Sequence, residues 1–409
     1  MRVEVAVIGG GAAGLAAAIA ARRANPGARV VVLEKQARVL RKLLATGNGR
    51  CNFTNDAITA ARYFGESAGF VAPALARFGT AEAVAFFDTL AVPSVALEKG
   101  KIFPMSLQAA SVADALRFEA ERLGVEVVTD FAVQSARHGK NAFVLNTADG
   151  RAMEAMRVIV ATGGRAAPEL GADESGYALL QAFGHTCTRV TPALCQLKTE
   201  KSIVHGLQGV KLDAAVTMQR GGKPVGMARD ELLFTEQGLS GAVIFELSTL
   251  WHQYAPLTVQ VDFLPDIAPS GLAAMLRRRR EQLAHLTMEQ FTNGLIHKKL
   301  GQALTKLAGV DKLSLPVGML SDAQIERFAR LLKSFAVEVT GPTGFKNAQV
   351  TAGGIRTRDF DENTMESRLV PGLYAVGEVL DITGDCGGFN LHWAWASGGI
   401  AGEHAANGR

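Results

Sequence analysis

Cysteine is scarce in this chain. Only Cys51, Cys187, Cys195 and Cys386 are present, and no two stand in C-x-x-C spacing. No disulfide framework and no metal site are therefore expected, and the usage suits a reducing cytoplasm. A dominant charge sign is also missing. The 43 Lys and Arg residues nearly balance 39 Asp and Glu, for a net charge of +4. That is too slight to argue for a nucleic-acid partner or an anionic membrane surface. No apolar run approaches the ~18 residues of a membrane span. Met1-Arg2 leads straight into an apolar run, so no leader peptide and a cytoplasmic location are expected. Internal repeats and low-complexity tracts are absent too. What is left is a globular composition, 48% hydrophobic and 20% charged, in 409 residues. That length exceeds one ordinary core and predicts two or three domains.

The most informative stretch is VEVAVIGGGAAGLAAAIAARRANPGARVVVLEK, Val3 to Lys35. Val3–Ile8 reads as a buried parallel strand, Ala12–Ala24 as a helix stopped by Asn25-Pro26-Gly27, and Val30–Leu33 as a second strand. Gly9, Gly11 and Gly14 fall in G-x-G-x-x-G spacing between the first strand and the helix. In such a unit the first glycine permits a tight turn. The second lets a pyrophosphate approach the backbone, and the third lets helix and strand pack closely. Unpaired N–H groups and the positive dipole end of the helix then face the phosphates. Glu34, at the end of the second strand, is placed to accept from ribose hydroxyls. Strand, glycines, helix, strand and acid in this order predict dinucleotide binding.

Arg41–Asn55 (RKLLATGNGRCNFTN) is rich in Gly, Asn and Thr and in donors, and predicts a loop strapped along the cofactor. Helical patterns follow at Phe70–Leu90, broken at Gly79-Thr80, and at Ser106–Leu123, with a hairpin at Val95–Pro104 between them. Val125–Phe131 predicts a third parallel strand. Ala132–Thr147 with Arg151–Met156 predicts a small β-meander, and Val158–Ala161 another buried strand ending in Thr162-Gly163-Gly164. Ser175–Phe183 reads as a helix. From about residue 191 the pattern becomes β-like (Val190–Lys198, Val210–Gln219, Leu257–Phe263). It then becomes helical (Ser270–Leu286, Met288–Leu307, Ser321–Phe335). The predicted organisation is a first part of a dinucleotide domain at 1–190, a β-rich insertion at 191–268 and a helical domain at 269–335. Return strands at 336–350 and a second part of the dinucleotide domain at 351–409 complete it. Arg277–Arg280 is read as a solvated helix face rather than a phosphate contact, since no aromatic residues interleave it.

The C-terminal return selects the cofactor. GLYAVGEVLDITGDCGGFNLHWAWASGG, from Gly372, supplies a last strand, a Gly-Glu pair, a loop and a helix from Phe389 to Ala406 with a small face of Gly398, Gly399 and Gly402. A simple NAD dehydrogenase has no need of such a distant segment. FAD does, because its ring system extends far beyond the pyrophosphate. The start of the last helix, Gly387–Asn390, is predicted to face the flavin N1/C2=O edge, where reduction places negative charge. TAGGI (Thr351–Ile355) and VATGG (Val160–Gly164) lack a third glycine and a distal acid, so NADH or NADPH is expected only as a transient reductant.

These motifs, VIGGGAAG, TGNGRCNFTN, VATGG, AQVTAGGI and GEVLDITGDCGGFNLHWAWASG, resemble those of FAD-dependent oxidoreductases of the aminoacetone-oxidase type. That group includes proteins similar to 3-dehydro-bile-acid Δ4,6-reductases. The resemblance runs from end to end and implies an α/β fold. Its glutathione-reductase-like (Rossmann-type) FAD-binding domain would carry an inserted β-rich domain and a helical domain. By motif match it implies FAD contacts at Gly9, Gly11, Ala12, Ala13, Gly14, Glu34, Lys35 and Lys42. Further contacts would fall at Gly49, Arg50, Cys51, Asn52, Val133, Thr162 and Gly163. The C-terminal segment would add Gly377, Glu378, Asp385, Gly388, Phe389, Asn390 and Leu391. The chain departs from the family's usual His, Pro and Gln at Glu236, Ala242 and His392, around the presumed substrate cavity.

Three side chains are candidates for catalysis. Cys51 neighbours Arg50, which lowers a thiol pKa when close. The alternative is a small residue packed beside the cofactor. His392 is either a proton donor or a packed, hydrogen-bonded histidine. Glu236 lies in Leu233–Gly241, read as a loop of a cap over the flavin formed by residues 191–345. The expected activity is hydride transfer at flavin N5 on a small molecule. It would run either as NAD(P)H-driven reduction of an activated C=C or as O2-dependent oxidation of an amine or alcohol. The alternatives are a non-catalytic flavin-binding regulatory or nucleic-acid-associated protein, and an RNA-modifying flavoenzyme, against which the weak charge counts.

Overall fold

The computed structural model describes residues 2–140, 142–204 and 206–408. Met1, and with it the expectation about a leader, lies outside the described residues, as does position 141 of the predicted meander. The chain divides into two compact units, one of residues 1–192 and 348–409 and one of residues 193–347.

The first unit is built on a seven-stranded sheet. Strand β1 (Arg2–Ile8) is central, with helix α1 (Ala12–Ala24) and strand β2 (Val30–Leu33) following it. β1 pairs in parallel with β2 on one side and with Ala152–Val160 on the other. Val5, Ala6, Val7 and Val30–Leu33 are buried, as a parallel sheet covered on both faces requires. Glu126–Val128 extends the sheet beyond β2, and Leu373–Ala375 pairs in parallel with Val158–Val160. The last strand of the predicted meander and the separate strand after it are one element. Ala152–Val160 runs unbroken, its first half antiparallel to Phe143–Thr147 and its second half inside the parallel sheet. The period-2 burial of Ala152–Met156 changes to continuous burial at Val158–Val160, which is why the sequence reads as two strands.

The last helix, Phe389–Asn407, packs on α1 through glycine. A Cβ on Gly398 would lie 2.4 Å from the Ala13 carbonyl oxygen, and one on Gly402 2.1 Å from that of Ala17. Gly399 faces open space, so the small face of this helix is Gly398 and Gly402 alone. The predicted loop Arg41–Asn55 also needs correction. It opens with a short helix, α2 (Arg41–Ala45), and closes with a two-residue strand at Thr54-Asn55. Arg, Lys, Leu and Ala are strong helix formers, and the glycines begin only after them.

The second unit is a closed six-stranded barrel with helices. Around it run Leu197–Thr199, Gly238–Ser240, Lys223–Phe234, Lys211–Arg220, Thr258–Asp262 and Phe335–Pro342, the last pairing back with the first. Inward residues alternate with outward ones, as in Phe335, Val337 and Val339. Leu272, Leu276, Leu300, Leu304, Ile325 and Phe328 of the helices share one apolar core with barrel residues Val216, Phe234 and Val261. The β-rich and helical segments, expected as separate domains, are therefore one unit. The predicted helix Met288–Leu307 is broken, because Asn293-Gly294 turns the chain with Gly294 at φ 78° before Lys298–Leu307 begins. Arg277 is paired with Glu326, Arg279 donates to the carbonyls of Phe291 and Asn293, and Arg280 donates to that of Leu320 and to Asp322. Most of the arginine run thus pins one helix to its neighbours.

Candidate functional site: a dinucleotide cavity

The turn after β1 sets the site. Gly9 has φ 105°, and a Cβ there would lie 2.5 Å from the Ala161 carbonyl oxygen. A Cβ on Gly14 would lie 1.9 Å from the Gly9 carbonyl oxygen. Both positions hold the fold together by close backbone approach. Gly11 differs. It caps α1 at φ −80° and ψ −168°, which any residue can adopt, and its missing Cβ points at nothing within 4 Å. That open space belongs to a cavity of about 540 Å³, within the ~300–1,000 Å³ usual for a cofactor site.

The cavity wall brings together Gly9, Gly11, Ala12, Ala13, Glu34, Lys35, Lys42, Val133, Thr162, Gly163, Gly377, Glu378, Asn390 and Leu391. Residues more than 300 positions apart thus meet on one surface of one unit. Glu34 accepts from the backbone N–H of Gly10 at 2.7 Å and of Gln36 at 2.8 Å, which fixes its carboxylate at the end of β2. Glu378 accepts from the Thr351 N–H at 2.7 Å and from Lys42 Nζ at 2.6 Å. Lys42 on α2 is thereby held toward the C-terminal segment.

Gly14, Gly49, Arg50, Cys51, Asn52, Asp385, Gly388 and Phe389 are not in the wall. The sequence reading missed a stretch that is, Leu170–Asp173 with Ser175. Lys35 pairs with Asp173, and Arg41 donates to the Glu169 carbonyl at 3.0 Å, tying this stretch to the end of β2 and to α2. It carries no periodicity and no motif. Its one signal is an Asp173–Ser175 turn, in which Asp173 Oδ1 accepts from the Ser175 N–H at 2.9 Å.

The surroundings of two catalytic candidates favour their packing alternatives. Cys51 is fully buried, and burial pushes its thiol up to about 12. Arg50 does not offset this, because its guanidinium lies over the Phe103 ring, 4.9 Å from the centroid. A neutral, buried thiol is no nucleophile at physiological pH. His392 is also fully buried. Its Nε2–H donates to the Phe78 carbonyl at 2.9 Å, and its Nδ1 accepts from the Thr54 hydroxyl at 2.8 Å. Both nitrogens are used, and burial brings the ring down to about 4. These contacts favour the packed, hydrogen-bonded reading of His392 over the proton donor. Glu236 is exposed on a tight turn, where Thr235 N–H donates to the Gly238 carbonyl at 2.8 Å. Leu233–Gly241 is therefore mostly a hairpin, not a long loop.

The burial of His392 has a measurable consequence. Its folded pKa lies below the unfolded value of 6.5, so the unfolded chain binds the extra proton first. Its contribution to stability is full above pH 6.5 and is lost as pH falls toward 4, amounting to roughly 3 kcal/mol. In His392→Gln the amide donates to Phe78 and accepts from Thr54 without titrating. Thermal unfolding of the variant is expected to lose less between pH 6.5 and 4 than the parent. Equal pH slopes would refute the assignment.

The wall fits FAD. Gly11 leaves the space a pyrophosphate needs, and Thr162 Oγ1 is a buried polar atom without a partner among the described residues. Lys42, paired with Glu378, adds an ammonium donor, and the volume suits a dinucleotide. A βαβ unit whose glycines open onto a cavity completed by the distant Gly377-Glu378 and Asn390-Leu391 pairs defines a Rossmann-type, FAD-dependent oxidoreductase. Within that class the chain belongs to the family described as HI0933-like protein Rossmann domain, which matches residues 3–404. It is 39% identical over 407 residues to the 3-dehydro-bile acid delta(4,6)-reductase of Clostridium scindens, covering 98% of this chain and 99% of that protein. It is 31% identical over 402 residues to the ribosomal RNA dihydrouridine synthase of Escherichia coli, covering 97% and 96%. The solved 3-ketosteroid delta1-dehydrogenase of Sterolibacterium denitrificans shares the fold, with a TM-score of 0.50, 13% identity and 100% of both chains covered. Among the described residues no single helix is long and apolar enough to cross a membrane.

Proposed function

We propose that this protein uses FAD to reduce a carbon–carbon double bond conjugated to a carbonyl in a small molecule, with NADH or NADPH as the transient electron source. The observation that carries the reading is 39% identity, over nearly the full length of both chains, to a reductase whose name specifies such bonds. The dihydrouridine product named for the second relative also differs from uridine by two hydrogens across a double bond. The bound flavin supplies hydride at N5. The chain supplies the phosphate cradle at Gly11, the cation at Lys42 and the shaped wall around Asn390 and Leu391. No cysteine lines that wall among the described residues, which favours direct hydride transfer over a dithiol relay.

Transient use of the nicotinamide is supported by the roles of the other glycine motifs. A Cβ on Gly164 would lie 2.5 Å from Thr351 Oγ1, and one on Gly353 2.1 Å from the Arg189 carbonyl oxygen. Both glycines serve chain packing, not a second dinucleotide. The purified protein is expected to carry FAD without NAD(P)(H). Under anaerobic conditions NADH or NADPH should bleach the flavin band, and a 3-keto-4,6-diene steroid should restore it within one turnover. Restoration by O2 with a small amine or alcohol as the reductant, and none by the unsaturated ketone, would overturn the reading in favour of an oxidase. Conversion of uridine in ribosomal RNA, with no turnover of the ketone, would overturn it in favour of an RNA substrate. The tied-down arginines of the second unit count against that outcome.

A further inference from the structure

Hydride addition to a conjugated ketone leaves negative charge on the carbonyl oxygen, so the reaction needs a fixed cationic donor there. Neither His392 nor Cys51 can serve, for the reasons above. One arginine beside the last helix has unused donors. Arg62 Nε pairs with the Asp385 carboxylate, and the guanidinium lies over the Phe389 ring, 4.9 Å from its centroid. No other bond to Arg62 Nη1 or Nη2 is seen among the described residues, and the side chain is 42% exposed while that of Asp385 is 11% exposed.

The couple is built into the framework of the cavity. Asp385 N–H donates to the Arg62 carbonyl at 3.1 Å. Asn390 Nδ2 donates to the Asp385 carbonyl at 3.2 Å and to that of Gly384 at 2.8 Å, and Asn390 Oδ1 accepts from the Gly384 N–H at 2.8 Å. The next residue to Arg62, Tyr63, donates through its hydroxyl to the Phe389 carbonyl at 3.0 Å. Asn390 and Leu391 are cavity wall. Arg62 is thus anchored to Asp385 and Phe389, which stand outside the cavity wall in the same segment as its residues Asn390 and Leu391.

We propose that Arg62 is a catalytic residue of the reductive reaction, binding the substrate's conjugated carbonyl oxygen, and that Asp385 positions it. This rests on the function proposed above. A hydride, carrying both electrons, forms a C–H bond at the β-carbon of the ketone. The C=C π electrons shift toward the carbonyl and the C=O π pair moves onto oxygen. The guanidinium Nη–H donates to that enolate oxygen. Solvent then delivers one proton to the α-carbon, the C=O bond re-forms, and the two electrons lost are replaced from NADH or NADPH. Arg62 keeps its proton throughout, as a guanidinium does. The second role of Arg62 is steric: a planar donor stacked on Phe389 is pre-organised and needs little reordering on binding.

The test uses the full-length holoprotein and a steroid 4,6-dien-3-one as the probe, with the two half-reactions followed separately by anaerobic stopped flow. Arg62→Met is expected to retain FAD, its spectrum and its rate of reduction by NADH or NADPH. Its reoxidation by the ketone should slow by about 10²–10³-fold, the usual loss for one oxyanion donor. Arg62→Lys should recover part of that loss, which a merely structural role would not give. Asp385→Asn should slow the same step and no other, and it decides the question if Arg62→Met yields no soluble holoprotein. Parent-like reoxidation of the Arg62 variants, or of Asp385→Asn in that case, overturns the inference. If the parent protein itself is not reoxidised by the ketone, it is the proposed function that fails, and the two failures are distinct.

Discussion

Gly11→Val protein is expected to purify folded and colourless. The parent should bind FAD stoichiometrically, and the variant should hold none after desalting, even when FAD is supplied during refolding. The reason lies in the contrast between three glycines of one turn. A side chain at Gly9 or Gly14 strikes backbone oxygen at 2.5 or 1.9 Å, so substitution there breaks the turn itself. A Cβ at Gly11 strikes nothing in the protein, and its negative φ is open to an L-residue. The only thing lost is space in the cavity, where the cofactor's pyrophosphate must approach the helix N-terminus. Circular dichroism and gel filtration like those of the parent, together with an empty flavin spectrum, would establish this. A yellow Gly11→Val protein with normal FAD content would show that the pyrophosphate does not lie here.

Gly402→Val is expected to fail at an earlier stage. Its Cβ would lie 2.1 Å from the Ala17 carbonyl oxygen and 3.0 Å from the Ala17 Cα. Those atoms belong to α1, whose buried face (Leu15, Ala16, Ala18, Ile19) packs in the sheet core. α1 cannot retreat without opening that core, so the strain has no soft outlet. Overpacking ordinarily costs about 1–3 kcal/mol, and a backbone clash adds to it. A loss beyond roughly 4 kcal/mol would consume much of a stability of about 5–15 kcal/mol. The expected result is aggregation on expression or a sharply lowered unfolding midpoint in urea, with loss of FAD as a consequence. Gly399→Ala, on the open side of the same helix, is the control and should unfold like the parent. Parent-like stability of Gly402→Val would show that the two helices are not held at this distance.

Some of the fold and site is legible in local sequence. The bounds of α1 and β2 match to the residue and those of β1 to within one, because buried strands, small helix formers and an Asn-Pro-Gly stop all agree over that stretch. The hairpin around Gly100 and the break at Gly79 were legible for similar reasons, since glycine marks backbone that other residues adopt at a cost. The strand Lys223–Phe234 was not. Lys223-Pro224, Gly226 and the charged Arg229-Asp230-Glu231 hide its alternation, and it is a strand because Lys211–Arg220 pairs along its whole length. The helical segment 269–335 looked like a separate domain because its apolar stripes are self-consistent. That they complete the barrel's core is a fact about contacts, and periodicity carries no information on what a stripe faces.

The sequence by itself determined that this protein has a dinucleotide-binding βαβ unit, which cofactor completes it, and that both ends of the chain belong to one domain. These are properties of spacing and residue type, fixed by backbone sterics at glycine and by helix geometry. Only the tertiary structure shows which candidate side chains are buried and which already have partners. Arg50 beside Cys51 in sequence suggested an activated thiol, yet the guanidinium stacks elsewhere and burial keeps the thiol neutral. His392 at a helix start suggested a proton donor, yet Phe78 and Thr54 occupy both its nitrogens. Arg62 had no motif at all, and it stands out only because Asp385, 323 positions away, holds it beside the segment that carries Asn390 and Leu391. Reactivity depends on desolvation and on which partners a side chain has already satisfied, and both are set by residues distant in the chain.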